Sequence, residues 1–358
     1  MGKYRNGKLD IIKFIMTINI VALHYWWRPS IISVGNKELA FGRTGYYAVV
    51  FFFLVSGALL TRTYYYGHIN QKRENSIGRE TQIFIYKKMR RFIPLYILAL
   101  SFYILKDLFV NRSIKSVLEN TFYTIPSCLL LGHTGFDNKG TYIGGYYVGA
   151  SWYLSALIIM ILIIYPVLAY NYDLCTKVVA PIVLVASLYV NISVLGIPIV
   201  DSRLYPVIPF VLGIIIGDIS IDALNILEPN IKIKVFLFLC ELFCMATLQL
   251  YLCLDISEMH FSEYPMLFIT AMLVCIVCMN ITPGKNISNS LTNYLGELGM
   301  ALYLIHGASY EMIHDVFIKD RMIKGSNMDF FISLFISIMI ATLWIYLKNR
   351  IHEKRRAS

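Results

Sequence analysis

Ten stretches of this 358-residue chain are long and apolar enough to cross a bilayer, and they leave little sequence over. They fall near 9–27, 45–62, 91–110, 151–170, 178–196, 204–218, 235–254, 265–282, 294–316 and 329–348. A spanning helix takes about 20 apolar residues, so ten of them use about 200 positions. In lipid every backbone polar group must find its partner inside the segment, which leaves helices as the economical solution. Composition agrees, with 57% hydrophobic residues, 15% charged residues and a mean hydropathy of +0.61, whereas soluble domains carry about 25% charge. The chain reads as all-α: a polytopic transmembrane bundle of about ten helices, one integral-membrane domain over 1–358, with no separate soluble domain. The first run is expected to stay as helix 1, because Ala22-Leu23-His24-Tyr25-Trp26-Trp27 offers no small-residue cleavage site.

A net charge of +10 would suggest nucleic acid in a soluble domain. Here the distribution argues for orientation instead. With ten spans, the segments on the side of the termini hold 20 Lys and Arg against 11 on the other side, so both termini are expected to be cytoplasmic. The basic segment 62–91 then forms an inward-facing loop and 111–150 an outward-facing one, in a multi-pass protein of the plasma or inner membrane. The seven Cys lie almost entirely in apolar runs and read as small buried hydrophobes. Cys275 and Cys278 form a CxxC without a second pair inside a spanning run, so no metal is expected.

Helix 1 carries a polar stripe. Lys13 and His24 are eleven positions apart, which is about 20° around a helix and about 16 Å along it, and Asp10 and Thr17 fall within about 60° of the same line. Ionisable groups at membrane depth normally face the bundle interior or a water-filled path. The alternative is that Asp10 and Lys13 mark an interface while His24 joins an aromatic belt with Trp26 and Trp27.

Several local sequences, in order, carry a resemblance. They are Leu9-Asp10-Ile11-Ile12-Lys13 through His24, Phe51-Phe52-Phe53-Leu54-Val55-Ser56-Gly57, Lys87-Lys88-Met89-Arg90-Arg91-Phe92-Ile93-Pro94, Ser151-Trp152-Tyr153-Leu154 and Tyr303-Leu304-Ile305-His306. The set resembles the integral-membrane acyltransferase 3 family, which transfers acetyl and related groups from a CoA thioester to glycans and other acceptors. The chain departs from the family at Lys13 and Lys88, where Arg is usual; lysine keeps the charge but lacks the bidentate fork. No esterase-like extension follows the last span, which implies the membrane-only form.

The resemblance implies an O-acetyltransferase-like enzyme of the cell envelope. It moves an acyl group, acetyl first, from cytosolic acyl-CoA to a hydroxyl of an exported polysaccharide. It needs a base at the hydroxyl, a fixed thioester and a stabilised oxyanion. His24 is the expected base or transient acyl acceptor. Lys88 and Arg91, one turn apart before Pro94, are expected with Lys13 to hold the donor, whose arm would lie along the stripe past Thr17. Asp10 is expected to orient Lys13.

Ser56 reads as a nucleophile or, beside Gly57, as a site of close helix approach. His306, on one face with Tyr303 and Tyr310, lines the cavity or is a satisfied interior histidine. Glu241 and Gln249 should face inward. Trp152, His133 and Tyr142-Ile143-Gly144-Gly145-Tyr146-Tyr147 suit a sugar acceptor or an interfacial belt. The expected partners are therefore the bilayer, acyl-CoA and a glycan, with acyl-CoA as co-substrate. A transporter or flippase of a lipid-linked or small polar solute is the alternative, with Lys13, Glu241 and His306 marking its pathway.

Overall fold

A computed structural model describes residues 6–25, 30–34, 37–68, 75–111, 113–123, 151–197, 199, 204–226, 230–253, 263–284, 287–318 and 327–357. Its helices are α1 (Gly7–His24), α2 (Tyr46–His68), α3 (Ile77–Asn111), α4 (Ile114–Tyr123), α5 (Ser151–Tyr170), α6 (Leu174–Leu195), α7 (Val207–Ile226), α8 (Ile231–Cys253), α9 (Glu263–Met279), α10 (Ser290–Met312) and α11 (Asn327–Ala357). Each of the ten apolar runs has become a helix. Among the described residues seven of these helices are long and apolar enough to cross a membrane by themselves; α9 is apolar but shorter. The α1 and α10 helices are more polar, in keeping with places in the bundle interior. The protein is an all-α polytopic bundle.

A small antiparallel ribbon, β1 (Ser30–Val34) with β2 (Lys37–Ala40), follows α1. The turn after it is fastened by Thr44, whose backbone N–H donates to the Leu252 carbonyl and whose hydroxyl donates to the Tyr251 carbonyl at 2.7 Å. Gly42 turns this corner at φ +68°, where a Cβ would also press on the Asn19 carbonyl oxygen.

Two features of the sequence reading change. The segment 62–91, expected as a loop, is largely helical, because α2 runs on to His68 and α3 begins at Ile77. Hydropathy marks only the lipid-embedded part of a helix, and Arg, Lys, Glu and Gln propagate it beyond. Lys88 and Arg91 therefore sit within α3 and not at a helix end. The segment 111–150 contributes α4, an amphipathic helix exposing Ile114, Leu118 and Phe122 at i, i+4, i+8 while burying Val117.

Two packing arrangements position the rest. The α2 and α7 helices meet at a glycine seam: a Cβ on Gly57 would overlap the Phe210 carbonyl oxygen, and one on Gly213 would overlap that of Leu54. Small residues permit this backbone approach where no hydrophobic force draws helices together. The second arrangement is a ring, in which α1 packs on α2, α2 on α5, α5 on α3, α3 on α10 and α10 again on α1.

The start of α1 is pinned. Asn6 caps it, accepting from the Leu9 N–H at 3.1 Å, and donates to the Val277 carbonyl at 2.8 Å. Lys8 Nζ donates to Glu241 at 2.9 Å and to Thr282 at 2.6 Å, while Thr282 itself donates to Glu241 at 2.7 Å. Gly7 lies against the Ile287 carbonyl just before α10, and Lys348 of α11 pairs with Glu297 of α10. The starts of α1 and α10 and the later part of α11 thus lie at one end of the bundle, here called the near end.

Candidate active site

The α1 and α10 helices rise side by side from the near end. His24 is 17 residues up α1 and His306 is 16 residues up α10, about 25 Å in each case, so their rings arrive at the same height. The ring centroids are 5.0 Å apart, tilted by 55°. His24 is exposed and His306 is 2% exposed. His24 Nδ1 lies 2.8 Å from the Ile20 carbonyl oxygen, and His306 Nδ1 lies 2.8 Å from that of Tyr303. A carbonyl oxygen only accepts, so Nδ1 carries the proton in both neutral rings and Nε2 is the basic nitrogen.

From the histidines, aromatic rings continue into the helix ring. Tyr303 is 6.3 Å from His306 by centroid, and it meets Phe52 at 6.2 Å and Tyr153 at 5.8 Å. These contacts join α10 to α2 and α5 across the interior. From α3, the Tyr103 hydroxyl reaches Gly307, at 3.4 Å from where a Cβ would stand. Ser56 Oγ is 2.8 Å from the Tyr153 hydroxyl, which also lies 3.3 Å from the Phe52 carbonyl oxygen.

Toward the near end the character changes from aromatic to cationic. Lys88 is close enough to Lys13 and Arg91 for both to act on it electrostatically. On α3, Lys88 shares a face with the buried Leu95 and Ala99, seven and eleven positions on and within about 20°. Three cations from α1 and α3 thus stand together toward one end of the ring, here called its mouth. Arg62 instead donates to Ser220 at 2.7 Å and lies over the Tyr66 ring, joining α2 to α7.

The remaining expected residues have definite places. Thr17 is 1% exposed, donates to the Lys13 carbonyl at 3.0 Å and faces Gly299 across the α1–α10 seam, so it does not border an open path. Asp10 is buried in the first turn of α1, where a carboxylate suits the helix dipole. Trp152 stacks on Tyr205 at 5.4 Å and meets Phe53 at 6.1 Å, on the α7 side of α2. Its neighbour Tyr153 enters the interior instead. Glu241 is taken by Lys8, and Gln249 exchanges two hydrogen bonds with Asn19 at 3.1 and 3.2 Å. His133 and the tyrosines of 142–147 lie outside the described residues.

Tyr153 and Tyr103 were not singled out as site residues by the sequence. For Tyr153 a signal existed, since it stands inside the Trp-aromatic-Leu segment.

No curated protein and no solved structure matches the chain. A family model described as an acyltransferase domain matches residues 6–347, a span that takes in the paired imidazoles, the aromatic interior and the cationic mouth alike. The chain therefore belongs to the acyltransferase 3 family and is a multi-pass membrane acyltransferase.

Proposed function

We propose that the protein moves an acyl group, acetyl first, from cytosolic acyl-CoA to a hydroxyl of an exported or cell-surface glycan, with His24 as the base. The observation that carries this reading is the two-ended ring, with three cations at the near mouth and an exposed, oriented imidazole about 16 Å further along α1. The near end is the cytoplasmic one by its excess of Lys and Arg. CoA is polyanionic at one end and carries its thioester at the other, so the two chemistries stand in the order the donor requires. Lys88, Arg91 and Lys13 take the phosphates.

At the far end His24 Nε2 removes the proton of the acceptor hydroxyl while Nδ1–H remains on Ile20. The oxygen attacks the thioester carbonyl carbon, the tetrahedral oxyanion collapses, the C–S bond breaks, and the thiolate recovers the proton from Nε2. A proton passed in this way is worth about 10²–10⁴-fold in rate. Because transfer occurs at the far end, CoA itself does not have to cross. Transport is supported less well, since Glu241, one of the groups that would mark a solute path, is bound to Lys8 and Thr282.

The test is release of free CoA from acetyl-CoA by the protein in lipid vesicles, with and without a polysaccharide acceptor. Acceptor-dependent release that disappears in His24→Ala, in a variant that still elutes as a folded species, is the expected result. Undiminished turnover by that variant removes His24 from its role; solute uptake without thioester consumption returns the transporter reading.

A further inference from the structure

On α2, Phe52, Ser56, Leu59 and Thr63 are half-buried, whereas Phe53, Leu54, Val55, Gly57 and Ala58 are buried. The spacing of the first four, i, i+4, i+7, i+11, makes one stripe down the helix. Phe52 and Ser56 show which way it faces, because their partners are Tyr153 of α5 and Tyr303 of α10. The stripe borders the interior of the helix ring, away from the glycine seam with α7.

Ser56 lies ten residues into α2, about 15 Å from its far-end start. At that depth a hydroxyl needs a partner, and the Tyr153 hydroxyl supplies it at 2.8 Å. A phenol with an ordinary pKa near 10 is no base for a serine at neutral pH, so this contact does not make a nucleophile. It makes an adaptable pair instead. When the Tyr153 hydroxyl donates to the Phe52 carbonyl or to Ser56, the Ser56 proton can turn toward a ligand carbonyl beside it, and the surrounding rings of Phe52, Tyr153 and Tyr303 offer apolar surface to methylenes.

We propose that the Ser56–Tyr153 hydroxyl pair is a positioning site for the arm of the thioester donor, hydrogen-bonding an amide carbonyl of the pantetheine chain between the cationic mouth and His24. This rests on the acyl-CoA reading above. It routes the arm along α2, α5 and α10, in place of the Thr17 side of α1, which is closed against α10. Ser56 and Tyr153 touch the arm and not the reacting atoms. Their loss should therefore weaken donor binding and leave the chemical step nearly intact.

The experiment uses the full chain in lipid vesicles with three donors: acetyl-CoA, S-acetyl-pantetheine, which has the arm without the nucleotide, and the acetyl thioester of a simple alkyl thiol, which has no amide. Ser56→Ala and Tyr153→Phe should each raise KM for the first two by about 3- to 10-fold, the worth of one neutral hydrogen bond. The change in kcat should be small, the alkyl thioester should be unaffected, and Ser56→Thr should restore binding. Should Tyr153→Phe not fold, the smaller Ser56→Ala carries the test. An active wild-type protein whose variants keep their KM, or lose equally on the alkyl thioester, overturns the hydroxyl pair alone. A wild-type protein that consumes none of these donors overturns the acyl-CoA reading and the pair with it.

Discussion

The Nδ1 of His24 and the Nδ1 of His306 are each held at 2.8 Å by a main-chain carbonyl of their own helix, and the two ring centroids are 5.0 Å apart, close enough that a charge on one disfavours a charge on the other. When His24 takes up a proton it meets a polarisable ring and not a second cation. His306→Gln is expected to lower kcat by about 10-fold or more with little change in the KM of either substrate. His306→Lys should be far worse, since two unit charges at 5 Å repel by about 3 kcal/mol at an effective dielectric near 20. Steady-state kinetics on both variants separates the outcomes; equal losses would remove the electrostatic argument.

The cationic mouth predicts a selective effect on the donor. Lys88→Ala, Arg91→Ala and Lys13→Ala should each raise KM for acetyl-CoA by about 10-fold while leaving S-acetyl-pantetheine nearly unchanged. Added salt should narrow the difference. Lys13→Arg and Lys88→Arg should lower KM, because the guanidinium adds a bidentate contact to phosphate. Donor titrations at two ionic strengths measure all of these.

The glycine seam predicts a loss of stability without a change in chemistry. Gly57→Ala and Gly213→Ala each place a methyl group on a backbone carbonyl of the facing helix, and such overpacking costs about 1–3 kcal/mol or more. Thermal unfolding in detergent should show a lowered midpoint for both, and the surviving folded fraction should retain its KM for donor.

The buried pair at the foot of α1 predicts strong coupling. Lys8 and Glu241 are 13% and 8% exposed, and removing one partner strands the other, at about 3–5 kcal/mol. Lys8→Met or Glu241→Leu alone should destabilise the fold by about that amount, and the two together by much less. A double-mutant cycle on unfolding midpoints measures the coupling, and additive losses would show the pair to be independent.

How far the sequence reached follows from what periodicity and hydropathy can register. All ten apolar runs became helices, since a lipid-spanning helix needs nothing beyond its own residues to satisfy its backbone. The α4 helix was missed although Ile114, Leu118 and Phe122 repeat at helical spacing, because ten amphipathic residues give a weak signal inside a polar segment. Ser56 and Gly57 were read together, but neighbours on a helix point about 100° apart; Gly57 faces α7 and Ser56 faces α5. The nearness of His24 to His306, and of Lys13 to Lys88, joins distant parts of the chain and has no local trace. Glu241 and Gln249 were recognised as inward-facing, yet their partners Lys8 and Asn19 were not legible for the same reason.

The α1 helix is fastened at two heights: at its foot, where Asn6 and Lys8 hold α9, α8 and Thr282, and again at Asn19, which is paired with Gln249 of α8 five residues below His24. A slip of one residue there would turn the helix by about 100° and lift it by 1.5 Å, carrying the imidazole out of line with its neighbour. A tilt about the same foot would in turn pull Asn19 away from Gln249. The two fastenings therefore work as a pair of pins that set the rise and rotation of α1, and Tyr25, packed on Tyr310 and Phe330, holds the tip so that the aim of the reacting imidazole is fixed along the whole helix.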